Sequence, residues 1–476
     1  MRWPLPHLLT LLITLVVPPV APGTTGQAHA DEPPEGFFIR TSAGAAYLDE
    51  DWFARLSLSL LVQRDNLLTL DRPGWTEGPE SLGLRVHSWV PLHLRLGAED
   101  GEAVVREEDW DEIGDWFRLL RVVELGQPGA SLHVRAGELA QVRVGHGTLV
   151  DHFINTLQLD HFQWGIHATA DAVAWGGEVL VDSVTDPALI GARGLVRPLA
   201  FADPTDPVAR RFAVGGSLFV DPTTPARLSI DDDGLYIVDD RRRLAVDERE
   251  ATASLGVDAE FTAVRTDTVG LTAYLDGNLH AGRGAGLHAG LFFDVRPVDG
   301  LHLHARGEFR RMGRDYLATP FGPLHAVHRL AYRPVRTDAP DASTQRRPRL
   351  EWLRGEGVGA RNGWLAEGGV DLHGWFRLLA SWEDGEAEVD TALRLRAEVD
   401  PPWPVLLGFF LARDGFDPAD GVLSLDDTLL VSEARLFPLP WLHVGGELSR
   451  RWLIRPDGTA EPATDYAVLV GLTLGL

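Results

Sequence analysis

The strongest constraint on this chain is an alternation of apolar and polar residues with a period of two. In residues 251–264 the odd positions are Ala, Leu, Val and Phe, and the even positions from Thr252 to Thr262 are Thr, Ser, Gly, Asp and Glu. The pattern returns in residues 268–279, 285–296 and 299–311, with short turns between the segments. A period of two is typical of β-strands with one apolar face. The sequence therefore predicts consecutive antiparallel hairpins in an all-β fold.

The length of these segments separates two all-β architectures. Soluble strands most often have about 5–6 residues, whereas a tilted strand that crosses a bilayer needs about 9–11. The four segments are long enough to cross a bilayer, which favours a membrane barrel with apolar residues facing lipid and polar residues facing a lumen. A soluble sandwich or propeller is the alternative, because its strands also alternate.

The C-terminus adds a second signal. Residues 466–476 read YAVLVGLTLGL, an apolar alternation that runs to the last residue. This end resembles the C-terminal strand of bacterial outer-membrane β-barrel proteins, with Gly471, Leu474 and Leu476 at the matching positions. It departs from them in having Leu476 where an aromatic residue is usual and Leu469 where a polar residue is common. The resemblance implies a closed antiparallel transmembrane β-barrel in the bacterial outer membrane and identifies no particular family.

The same resemblance implies the partners. These are outer-membrane lipid and lipopolysaccharide, and the barrel-assembly machinery, which would recognise the strand from Tyr466 to Leu476; a homo-oligomer is left open. The net charge of −25, from 44 basic and 69 acidic residues, argues against nucleic acid as a partner. The absence of Cys excludes disulfides, thiolate zinc sites and a cysteine nucleophile.

The N-terminus has the pattern of a secretory signal peptide. Arg2 precedes an apolar run from Leu8 to Val17, and Ala28-His29-Ala30 fits the small-residue rule before cleavage. The run is short for a membrane span, so a retained anchor helix is the weaker alternative. The predicted organisation is a signal peptide at 1–30, a periplasmic N-terminal lead-in at 31–52, and a transmembrane barrel with acidic loops at 53–476.

The candidate strands from residue 53 onward indicate a barrel of about 18 strands, with about 16 as the next choice, since single-chain bacterial barrels close with even numbers. Acidic stretches at 99–115 and 231–250 predict long solvated loops, with Ca²⁺ binding as the alternative. Residues 313–363 are rich in Pro and show little alternation. Our hypothesis is that they fold into, or cap, the barrel mouth.

Catalytic and metal-binding motifs are weak. Asp151-His152 and Asp160-His161 pair a His with a carboxylate, but their spacing sets no shared geometry. The run from Gly145 to Thr148 indicates a tight bend. The sequence therefore predicts no catalytic residues, no metal site and no cofactor, and the protein is not expected to be an enzyme.

The polar faces of the strands predict the residues that line a pore. Seven acids and six arginines face inward, and this near balance predicts little ion selectivity. The predicted pore-lining residues are Asp258, Glu260, Asp276, Asp294, Arg296, His302, His304, Arg306, Glu308, Arg310, Arg394, Arg396, Glu398, His443, Glu447 and Arg451.

Two functions fit this wall. The first is a porin-like channel for passive diffusion of small hydrophilic solutes. The second is a non-conducting surface barrel that serves as a structural or adhesion platform, in which the inward charges form an internal ion-pair network. An enzyme is a distant third.

Overall fold

The fold is a single closed β-sheet. The computed structural model describes residues 36–70, 80–97, 103–111, 113–156, 162–239, 243–332, 346–355, 357–401, 404–418, 422, 425 and 428–475. The strands are β1 Gly36–Leu48, β2 Asp51–Leu70, β3 Glu80–Arg95, β4 Val122–Leu125, β5 Leu132–Gly137, β6 Gly165–Asp171, β7 Trp175–Val181, β8 Ile190–Val196, β9 Phe212–Leu228, β10 Val246–Arg265, β11 Val269–His280, β12 Ala285–Val298, β13 Leu301–Met312, β14 Arg361–Leu372, β15 Phe376–Gly385, β16 Ala392–Val399, β17 Val405–Asp414, β18 Thr428–Leu439, β19 Leu442–Ile454 and β20 Ala460–Gly475.

Each strand pairs antiparallel with the next one along the chain, and the last strand pairs with the first. The closing pair β1–β20 aligns Phe38 with Gly475 and Tyr47 with Tyr466. The sheet therefore has no free edge and forms a closed antiparallel barrel. The described residues contain 20 strands in this sheet, so the predicted number of 18 is wrong.

The extra strands have two origins. Gly36–Leu48 forms β1 within the segment assigned to a periplasmic lead-in, so the barrel includes residues before residue 53. In the weakly patterned region, β4 has 4 residues, β5 has 6, and β6, β7 and β8 have 7 each. Strands this short give too few alternations to be recognised in sequence. The predicted signal peptide at 1–30 lies outside the described residues.

The two ends of the barrel differ. β1 begins and β20 ends at the same end, here named the termini end, where short turns join the strands at 266–268, 299–300, 373–375 and 440–441. The opposite end, the loop end, carries the long connections 96–121, 138–164, 229–245 and 313–360. Both acidic stretches predicted as loops therefore fall largely at the loop end.

The two faces of the sheet are as the alternation predicts. On β10 the outward Leu255, Val257 and Phe261 are 44%, 69% and 48% exposed. On β13 the inward Arg306 and Glu308 are 2% and 4% exposed. The exterior is thus apolar and the interior charged, the reverse of a soluble protein.

The described residues of the loop-end connections include three short α-helices. They are α1 Ile113–Trp116, α2 His325–Leu330 and α3 Arg349–Gly355. Within the described ranges, no helix has the length and hydropathy to cross a bilayer.

Candidate functional site

The interior is shaped by a loop that turns into the barrel after β5. We name residues 138–156 the first inserted segment. Gly145 and Gly147 have φ values of 56° and 81°, the left-handed region that favours glycine, so the chain reverses sharply around His146. An antiparallel bridge between Val142 and Phe153 closes this reversal into a small hairpin.

One side of the first inserted segment packs into an apolar cluster. The cluster joins the segment to β7, β9 and the β13–β14 connection, and its buried members are Leu139, Val142, Val144, Leu149, Val150, Phe153, Leu180, Leu189, Phe219 and Phe321. Removal of this much apolar surface from water stabilises the inserted position of the loop.

The tip of the segment is held by an ionic contact to the barrel wall. His146 Nδ1 lies 2.8 Å from Asp276 Oδ1 and Nε2 lies 2.9 Å from Glu260 Oε2. The ring also stacks on Tyr274 with a centroid distance of 4.4 Å. Burial lowers the pKa of His146, but the two carboxylates outweigh it and raise that pKa to about 9. At neutral pH the ring is therefore an imidazolium that donates to both carboxylates.

The base of the segment is held by two arginines. Arg143 donates to Asp151 Oδ1 at 2.6 Å and to Glu367 Oε1 at 2.7 Å. Arg306 donates to Asp151 Oδ2 at 2.6 Å, and His152 Nε2 lies 2.6 Å from Glu367 Oε2. Burial raises the pKa of Asp151, but Arg143, His152 and Arg306 outweigh it, so the pKa is lowered. The ion pairs therefore join the segment to β13 and β14.

The β13–β14 connection also turns inward. We name its described residues 313–332 and 346–355 the second inserted segment. It forms a parallel bridge from Phe321 to Val150 of the first segment, and Arg329 donates to Asp221 of β9 at 2.7 Å. The hypothesis that this connection folds into the barrel mouth is confirmed for these residues.

Among the described residues, two groups of side chains have the composition of metal ligands. They are His146, Asp258 and Asp276, and Asp151, His152 and Glu367, with potential ligand atoms within 4.8 Å of one another in each group. Arg193 donates to both oxygens of Asp258 at 2.6 and 3.0 Å. Both ring nitrogens of His146 already face carboxylates, and Arg143 and Arg306 neutralise the second group. The donor atoms thus act as anchors for the loop rather than as an open coordination site.

The other half of the interior contains a cavity of about 140 Å³, large enough for several waters. It follows the inner faces of β1–β3 and β16–β20 and is bordered on one side by the first inserted segment. The charged groups at its wall are Arg40, Arg55, Arg118, Arg121, Arg396 and Arg435 against Glu138, Glu433 and Glu447. Six arginines and three glutamates thus border this cavity.

The cavity glutamates are all paired with arginines. Arg55 donates to Glu447 at 2.7 Å and Arg121 to Glu138 at 2.6 Å, and Arg435 pairs with Glu433. Arg118 pairs with Asp109 and Asp115, and Arg396 pairs with Glu398, although these acids do not line the cavity. Arg40 is therefore the arginine of the wall that has no carboxylate partner among the described residues.

The structure divides the predicted pore-lining residues among several environments. Three border the cavity: Arg396, His443 and Glu447. Six belong to the buried network around the first inserted segment: Asp258, Glu260, Asp276, Arg306, Glu308 and Arg310.

The remaining seven lie apart from both groups. Glu398 pairs with Arg377 at 2.9 Å and Arg451 with Asp465 at 3.2 Å, and Arg394 pairs with Asp414. Near the termini end are Asp294, Arg296, His302 and His304, where His302 Nε2 lies 3.0 Å from Asp294 Oδ1.

Sequence reasoning missed most of the cavity wall. Arg40 lies in the supposed lead-in, and Arg55 lies at the start of β2, where Ser57 and Ser59 share its inward face. The alternation of these residues along β2 could have identified Arg55 as an inward-facing residue. Arg121 and Glu138 lie outside the strands, where no period marks an inward direction.

Comparisons with known proteins give structural matches only. No family model matches the chain, and no curated protein matches it. Among solved structures, OccAB4 of Acinetobacter baumannii is 10% identical, with 94% of this chain and 100% of that chain covered and a TM-score of 0.30. OccK11 (OpdR) of Pseudomonas aeruginosa is 10% identical, with 93% of this chain and 95% of that chain covered and a TM-score of 0.33. OmpT of Vibrio cholerae, titled an outer membrane protein, is 8% identical, with 92% of this chain and 98% of that chain covered and a TM-score of 0.25.

Identities and TM-scores at this level carry no residue roles to this chain. The closed barrel is established instead by its own strand pairing, through all twenty strands and back to β1. The functional argument therefore depends on the geometry of the interior.

Proposed function

We propose that this chain is a porin-like barrel of the bacterial outer membrane, through which small hydrophilic solutes diffuse passively. The observation that carries the proposal is the cavity along β1–β3 and β16–β20, which the inserted segments leave unfilled. Hydroxyls and charged groups at its wall, including Ser42, Ser57 and Arg55, replace the hydrogen bonds that a solute loses when it leaves water.

The membrane location follows from the exterior. Outward Leu, Val and Phe side chains would be costly to expose to water over a whole barrel, and lipid removes that cost. With the termini end in the periplasm, the long acidic loops face the outside, as in barrels of this kind. Outer-membrane lipid and lipopolysaccharide are then the surroundings of the wall and loops. We also propose that the barrel-assembly machinery recognises β20.

The wall of the cavity favours anions. Arg40 has no carboxylate partner among the described residues, and a positive charge in a narrow space of low dielectric raises the local concentration of negative solutes. We therefore expect weak anion preference in a KCl gradient.

Conductance in planar bilayers tests the proposal, with a matched pair of variants on one strand. Ser57 faces the cavity and its neighbour Leu58 faces outward with 49% exposure. Ser57→Trp places an indole in the cavity, and we expect it to lower the single-channel conductance at least about twofold because the path is narrow. Leu58→Trp adds the same side chain to the outer face and should leave conductance unchanged.

A second function has its own support. The inserted segments fill part of the interior with an apolar cluster, as a non-conducting platform would require. Folded wild-type barrels that give no current steps would favour this platform. Steps that Ser57→Trp and Leu58→Trp change equally would place conduction outside the cavity and contradict the proposed path.

A further inference from the structure

The part of the cavity wall nearest the termini end contains donors that lack acceptors. There β18, β19, β20 and β1 are neighbours, and Arg435, His443 and Arg40 line the cavity on three of them. In the sheet, Arg40 is aligned with Thr473, His443 with Gly471, and Arg435 with Gly445. The three side chains therefore converge on one stretch of the inner face.

Two glycines make room for this convergence. A Cβ on Gly471 would lie 2.5 Å from His443 Cε1 and Nε2, and a Cβ on Gly445 would lie 3.0 Å from Arg435 Cγ. The imidazole of His443 thus lies against bare backbone at Gly471, with Phe437 at a ring-centroid distance of 5.9 Å. The wall holds the ring without giving its nitrogens a partner.

His443 is 1% exposed, yet neither Nδ1 nor Nε2 has a hydrogen-bond partner among the described residues. A buried polar group without a partner costs free energy, and most such groups are satisfied in folded proteins. The ring borders the cavity, and a turn of the side chain toward the cavity would present its N–H to a solute there.

Arg40 is a cation without a paired carboxylate in the described part of the chain. Its one hydrogen bond there runs from Nε to Thr473 Oγ1 at 3.3 Å. The charged groups that act on Arg40 are Arg435, Glu433 and Asp400, and Glu433 pairs with Arg435. The charged groups that act on His443 are Arg40 and Arg435, both positive. Of the two acids, Glu433 pairs with Arg435 and Asp400 makes no ion pair with Arg40, so the Arg40 guanidinium has no direct carboxylate partner among the described residues.

We propose that Arg40 and His443 form a binding subsite for a small oxyanion, a carboxylate or a phosphate, with Arg435 adding positive potential. The terminal N–H groups of Arg40 donate to one oxygen of the anion, and the ring N–H of His443 donates to another. The subsite rests on the proposed function, since a permeating solute would reach it inside the pore, and it makes passage of oxyanions saturable.

The test is block of KCl current by sodium acetate and by inorganic phosphate, added in separate series to the termini side of wild type and variants. Arg40→Gln removes the charge and should raise the half-blocking concentration by roughly tenfold. His443→Phe keeps the ring and removes the donors, with an expected rise of roughly threefold or more. Arg40→Lys keeps the charge and should stay within about threefold of wild type.

The control removes an arginine outside the cavity. Arg227 at the loop end is 62% exposed and pairs with Asp247, so Arg227→Gln should leave both block curves unchanged. Stronger block by one of the two anions names the ligand class. Equal block in Arg40→Gln and in wild type would contradict the subsite, and so would a wild-type barrel that conducts but is blocked by neither anion. Either result would leave the proposed channel function unaffected.

Calorimetric titration separates failure of the subsite from failure of the channel. Acetate and phosphate are titrated into the detergent-solubilised full-length barrel of wild type and Arg40→Gln. Heat of binding that Arg40→Gln abolishes supports the subsite even in a barrel that does not conduct. No saturable binding of either anion to the folded wild type overturns it.

Discussion

The two halves of the barrel interior use the same strand pattern in different ways. Along β9–β14, inward charges such as Asp276, Arg306 and Glu367 bind the first inserted segment and are removed from water. Along β1–β3 and β16–β20, inward charges pair with one another at the edge of a cavity. Alternation in a strand determines which face is inward, and the loop that enters decides whether that face meets water or protein.

The largest expected difference between the halves is in stability. The Arg306 side chain is 0% exposed and pairs with Asp151 and Glu308, whereas that of Arg396 is 23% exposed and pairs with Glu398. Arg306→Gln leaves buried carboxylates uncompensated and should cost about 3–5 kcal/mol. Arg396→Gln breaks a partly hydrated pair and should cost less than about 1 kcal/mol.

Urea unfolding in detergent, followed by tryptophan fluorescence, measures both variants against wild type. Arg306→Gln should also raise single-channel conductance, since the first inserted segment loses an anchor. Equal losses of stability in the two variants would show that the halves are not energetically distinct.

A second difference should appear with pH. His146 is the imidazolium at the tip of the first inserted segment, its side chain is 4% exposed, and its pKa is raised from 6.5 to about 9. The stabilisation is complete below about pH 6.5 and is lost as pH rises through about 9, with a size on the order of 3 kcal/mol. Wild-type unfolding free energy should therefore fall between pH 7 and pH 10, and current noise should rise as the tip is released.

The His146→Gln variant is the control for this prediction, because the amide of glutamine does not titrate between pH 7 and pH 10. The variant should be less stable at pH 7 and show a flatter pH profile from 7 to 10. If the unfolding free energy fell equally with pH in wild type and in His146→Gln, His146 would not be the titrating group.

The fold was largely predictable because its long strands repeat one simple pattern. β10 to β13 were identified from alternation alone, and the closed antiparallel arrangement followed from strand length and the apolar C-terminus. The strand number was wrong because β4 to β8 are short and β1 was assigned to the lead-in. Brief strands are defined by pairing with neighbours, and a single sequence does not show that pairing.

The interior was predictable to a lesser degree. The inward direction of Glu260, Asp276 and Arg306 could be deduced from their strands, but their contacts with His146 and Asp151 could not. Those contacts join residues far apart in sequence through a loop without periodicity. The run from Gly145 to Thr148 was interpreted only as a bend, and its positive φ values agree with that. What the bend binds depends on where the loop enters the barrel.

The smallest expected effect is on ion selectivity, and it tests whether permeating ions are influenced by the charges of only one half of the barrel wall. Glu433 borders the cavity, and Glu433→Gln frees the positive charge of Arg435, so chloride preference in a KCl gradient should rise by about twofold or less. Glu260→Gln removes an acid from the other half and should leave the reversal potential unchanged. The Glu260 side chain is 24% exposed and that of Glu433 only 12%, so exposure alone predicts the opposite order. A larger shift from Glu260→Gln would mean that permeating ions pass along the inserted segment, and the division of the interior into a filled half and an open half would have to be abandoned.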